Sequence, residues 1–105
     1  MKVVLSNVPP DHSERIARAL VEERLAACVN WTPIRSAYRW KGEICIDEEH
    51  SLLIKVADDR VDALRARLRE LHPYELPEIV VLEVDAARSL DAYVAWVRSE
   101  SKPGG

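Results

Sequence analysis

Residues 28–56 read CVNWTPIRSAYRWKGEICIDEEHSLLIKV, and this stretch decides the fold. It lacks helical rhythm and is rich in β-branched and aromatic residues, with Lys41-Gly42 near its middle. Glycine there tolerates the positive φ that a two-residue hairpin turn requires. Such a turn sets Tyr38 opposite Cys45, Arg39 opposite Ile44 and Cys28 opposite Lys55. Cys28 and Cys45 then lie roughly 30 Å apart along the ribbon, too far for an intrachain disulfide. Both read as small buried side chains. Pro33 has no N–H to give to a ladder, so a bulge or bend is expected there.

Alternation along the two arms gives two apolar faces. One carries Val29, Trp31, Ile44, Ile46, Leu52 and Ile54; the other carries Cys28, Ile34, Tyr38, Trp40, Cys45 and Leu53. A half-covered sheet ordinarily keeps one face polar. Two apolar faces in a small domain call for a second cover, and another copy of the chain is the simplest one. The alternative is that the C-terminal helix caps the open face.

Outward from the hairpin, residues 2–8 form a β-branched run ended by Pro9-Pro10 and read as a strand. Asp11 or Ser13 begins a helix running to about residue 27, with Ile16, Leu20 and Leu25 near helical spacing. Asp58-Asp59 start a second helix whose Val61, Leu64, Leu68 and Leu71 keep a helical rhythm until Pro73. Residues 78–84 read as a strand. Residues 89–98 read as a helix offering Leu90, Tyr93, Val94 and Val97 to the core. The order is that of an α+β, ferredoxin-like βαββαβ sandwich with a long central hairpin and an extra C-terminal helix. The whole chain, 1–105, reads as one domain with a frayed tail at 102–105.

Composition narrows the function. Net charge is −3 and Phe is absent, so there is neither a basic footprint nor a stacking platform for nucleic acid. No apolar run approaches the length of a membrane span, no secretory leader is recognisable, and a cytoplasmic location is expected. With three glycines, two at the extreme end, neither a P-loop nor a dinucleotide fingerprint is available. No G-x-S-x-G surrounds a serine, and no enzymatic activity is expected.

The densest polar cluster is His72-Pro73-Tyr74-Glu75-Leu76-Pro77-Glu78. Two prolines stiffen it while His72, Glu75 and Glu78 present groups able to hold a divalent cation or a small ligand. At the hairpin tip, Tyr38 and Trp40 beside Arg35, Arg39 and Lys41 suit an interface or a small-anion pocket. The run Asp47-Glu48-Glu49-His50 has groups able to recruit divalent cations, but an exposed acidic stretch on a strand reads first as a guard against edge aggregation.

Three motifs, ERLAACVN at 23–30, SAYRWKGE at 36–43 and LHPYELPE at 71–78, occur together and in this order. In them the chain resembles the CutA family of divalent-cation-tolerance proteins, which is similar in fold to PII signalling proteins. The resemblance implies a non-enzymatic homotrimer concerned with divalent metal, copper among them. It also implies a cleft between subunits gathering Tyr38, Trp40, Lys55, His72, Tyr74 and Glu78. Copper-binding members use a first-strand cysteine and two consecutive histidines; the matching positions here are Ser6, Leu71 and His72. The implied Cu(II) site is therefore a weak one, not needed for folding. Sensing of a small ligand by a PII-like trimer, with metal binding incidental, is the alternative.

Overall fold

The computed structural model describes residues 1–104. Its elements are β1 (Lys2–Val8), α1 (Ser13–Glu22), β2 (Cys28–Trp40), β3 (Glu43–Val56), α2 (Val61–Leu71), β4 (Val80–Glu83) and α3 (Asp91–Glu100). Single 3₁₀ turns, Pro10–His12 and Asp58–Arg60, lead into α1 and α2. All pairings are antiparallel and the sheet order is β2-β3-β1-β4. This is the ferredoxin-like plan with α3 added.

The hairpin dominates. Its register runs unbroken from Cys28↔Lys55 to Trp40↔Glu43, closed by Lys41 at φ 50° and Gly42 at φ 81°. Positive φ at both turn residues matches the twist of the arms, as in a type I′ turn. Cys28 and Cys45 are both free thiols, half-buried rather than fully buried. The bulge expected at Pro33 does not occur, since Pro33 pairs in register with His50. β2 is an edge strand, whose ladder uses only alternate N–H groups, so a proline fits without distortion.

α1 ends at Glu22, five residues before the expected limit of 27. Arg24 adopts φ 57°, and the N–H of Arg24 and of Leu25 turn back to Val21 O and Leu20 O. This is a Schellman closure with arginine in the place glycine usually takes. Leu25, Ala26 and Ala27 are buried outside the helix, so apolar content continued after the helical rhythm stopped.

α1 and α2 cover one sheet face. Val4, Val8, Leu52, Ile54 and Val56 from the strands meet Ile16, Leu20, Leu64 and Leu68 from the helices in one core. α3 packs on the other face but only at one end, where Val94 and Val97 meet Met1, Val3 and Ala27. The expected inward Leu90 and Tyr93 are both exposed; the helix runs Asp91–Glu100, two residues later than expected, and only Val94 and Val97 face the core. Leu53, Val80, Leu82 and Trp96 consequently remain 39–44% exposed. A single short helix cannot cap a four-stranded face.

The chain after α3 is anchored as far as Lys102, in contrast to the expected fraying from that residue. Arg24 Nε donates to Lys102 O at 2.8 Å and its Nη2 to Ser99 O at 3.1 Å, while Arg60 Nε donates to Ser101 O at 3.0 Å.

Candidate functional site

The open face carries a cleft of about 610 Å³ at the junction of the hairpin, the end of β1 and the α2–β4 loop. Strand alternation builds one wall. Ser36, Tyr38 and Trp40 share a face of β2, and the register places Glu49 and Asp47 of β3 on that same face. Asn7 of β1 faces the cleft, and Tyr74, Glu75, Leu76 and Glu78 close it from the loop.

His72 sets the shape of that loop. It follows the last residue of α2 with ψ 129°, which turns the chain out of the helix ahead of Pro73. The residue is 7% exposed; Nε2 lies 2.9 Å from Asn7 O and Nδ1 accepts the Tyr74 N–H at 3.2 Å. A carbonyl accepts only from an N–H, so the imidazole is the neutral Nε2–H tautomer. Burial is the main influence on its pKa, which lies below the usual histidine value.

Above it, Tyr74 packs on the imidazole with ring centroids 5.0 Å apart and donates its hydroxyl to Glu49 Oε2 at 2.7 Å. Glu49 is 6% exposed. Burial, followed by the contact with Glu49, raises the Tyr74 pKa. Tyr38 donates to Asp47, and that bond is the first cause holding its pKa at about 12. Lys41 Nζ lies 5.7 Å from the Trp40 ring centroid and 3.9 Å from Glu75.

Tyr38, Trp40, Tyr74, Glu75 and Glu78 all line or border this cleft. His72 supports it from beneath. Lys55 lies at the base of the hairpin, opposite Cys28 and bonded to Asn30, so the fold of the chain does not bring it to the cleft. The three proposed metal ligands also part company, because both ring nitrogens of His72 are spent while Glu75 and Glu78 are exposed. Among the described residues no group of three His, Cys, Asp or Glu side chains is arranged to hold a metal ion. Ser6 is fully buried toward the helices and Leu71 is apolar, so neither adds a ligand. The donor set does not fit a Cu(II) centre built on His72.

Glu49 was missed in the sequence because the run 47–49 read as surface charge; its place opposite Ile34, on the Tyr38 face, was the available signal. A second polar pair is Ser13 Oγ and His50 Nδ1 at 2.7 Å. Ser13 is buried and donates to Pro10 O at 3.0 Å, so its hydroxyl accepts from His50 and serves the turn into α1 rather than nucleophilic chemistry.

Comparison with known proteins matches residues 2–100 to the family of CutA1 divalent ion tolerance proteins. The chain is 46% identical over 102 residues to the divalent-cation tolerance protein CutA of Thermus thermophilus, covering 95% of this chain and 97% of that one. It superposes on the PII-like protein CutA from Nostoc sp. PCC 7120 in apo form with a TM-score of 0.96 and 51% identity, over 98% and 99% of the chains. A protein from Archaeoglobus fulgidus, described as periplasmic divalent cation tolerance protein CutA, gives a TM-score of 0.90 at 29% identity, over 97% of this chain and all of its own. No helix among the described residues is long and apolar enough to cross a membrane.

Proposed function

The chain belongs to the CutA1 divalent ion tolerance family, and from that premise we propose that it acts as a non-enzymatic homotrimer taking a small ligand at the Tyr38–Trp40–Tyr74 cleft. The observation that carries this reading is the cleft itself, lined by Tyr38 and Trp40 of the hairpin and by a buried Glu49 that accepts from the Tyr74 hydroxyl. Sites of this kind combine apolar walls with a few fixed polar groups. Self-association is supported by the band of apolar side chains that α3 leaves uncovered. The compartment we assign is the cytoplasm.

Divalent cations, Cu(II) included, belong to this reading as weak guests of the exposed Glu75 and Glu78 carboxylates, not as ions held by His72. Calorimetric titration with Cu(II) tests the division. The heat is expected to be weak, reduced in Glu78→Gln and unchanged in His72→Ala. A tight stoichiometric site lost in His72→Ala overturns it.

A further inference from the structure

We propose that the cleft selects an alkyl diammonium ligand, with its ammonium groups against Glu49, Glu75 and Glu78 and its methylenes against Tyr38, Trp40 and Tyr74. This rests on the cleft being the ligand site and adds the chemical class.

The lining carries a net negative charge. Among the described residues that line the cleft, three carboxylates face one cation, Arg39. Glu49 is withdrawn from water, which makes it a demanding partner for a cation and a hostile one for an anion. A hydrated divalent ion needs several converging oxygens, and no such group is present among the described residues. An organic ammonium needs less: one carboxylate, and an aromatic face within about 6 Å.

Lys41 already makes that pair of contacts. Its ammonium stands 5.7 Å from the Trp40 centroid and 3.9 Å from Glu75, so a butylammonium tethered to the backbone occupies the border of the site. It is 72% exposed and, among the described residues, held by no closer ion pair, so a free amine displaces it at little cost. Glu49 and Glu78, on the same cleft, supply further anionic sites, which favours two ammonium groups over one.

Three probes of one five-carbon length separate charge from shape: 1,5-diaminopentane, 1,5-pentanediol and glutarate. Each is titrated into the intact protein while the Trp40 indole N–H is followed by NMR, with Trp31 and Trp96 as internal references. The diamine is expected to give a saturable shift at Trp40 that the diol and glutarate do not. Its affinity falls about tenfold in Glu78→Gln, through loss of a charge-assisted contact, and rises in Lys41→Gln, through loss of the competing ammonium. An equal response to the diol, or no gain in Lys41→Gln, overturns the proposal. A preference for glutarate overturns it while leaving the cleft as the ligand site. Silence toward all three probes overturns both.

Discussion

Tyr74 donates its hydroxyl to Glu49 at 2.7 Å, and this contact ties the α2–β4 loop to the central hairpin. Glu49 is almost wholly buried, so its carboxylate depends on partners within the protein. Removing one partner of a buried charged group costs more than the net worth of the bond.

Tyr74→Phe keeps the ring on His72 and deletes only the donor. We predict a loss of about 1.5–3 kcal/mol, the range for hydrogen bonds to charged groups, read from urea unfolding. An unchanged midpoint would show that water replaces the hydroxyl and that the loop is not tied at this point.

His72 makes stability depend on pH in a defined direction. Its folded pKa lies below that of the unfolded chain because burial disfavours the imidazolium. Above about pH 6.5 both states hold it neutral and its contribution is complete. As pH falls through that value toward the lowered folded one, the unfolded chain takes up the proton first and stability declines. The slope of unfolding free energy between about pH 7 and 5 is expected to be shallower in His72→Gln; an identical slope contradicts the assignment.

Ser6 Oγ is fully buried, and no hydrogen-bond partner for it is found among the described residues. Ser6→Ala removes an unpaired hydroxyl from the helix-facing core and is predicted to raise stability by about 1 kcal/mol. A loss on thermal unfolding would reveal a partner for the hydroxyl.

Gly42 has φ 81° and open space where a Cβ would project. Gly42→Ala therefore costs backbone conformation alone, about 1–2 kcal/mol for a left-handed residue. The unfolding midpoint measures it, and a neutral result would place the turn in another geometry.

The turn at Lys41-Gly42 was legible because glycine between two β-rich runs has few other uses, and every cross-strand pair followed from it. The end of α1 was not legible: arginine at 24 carries no cap signal, and the buried Leu25 prolongs the apolar pattern beyond the helix. Pro33 misled because its effect depends on whether β2 lies at an edge, which is a property of the sheet order. In the site, Tyr38, Trp40 and Tyr74 stood out by residue type. The role of Glu49 emerged only once strand register put it beneath Tyr74, and His72 lost its role as a ligand once both nitrogens found partners.

The apolar face left by α3 is predicted to be covered by further copies of the chain. Sedimentation equilibrium tests it most directly, with Leu53→Lys as the companion variant, since Leu53 stands 39% exposed on that face. The expected result is a wild-type mass three times the 11.9 kDa of one chain, and dissociation to folded single chains in the variant. A wild-type protein sedimenting as a monomer at micromolar concentration, or a variant still trimeric, contradicts it.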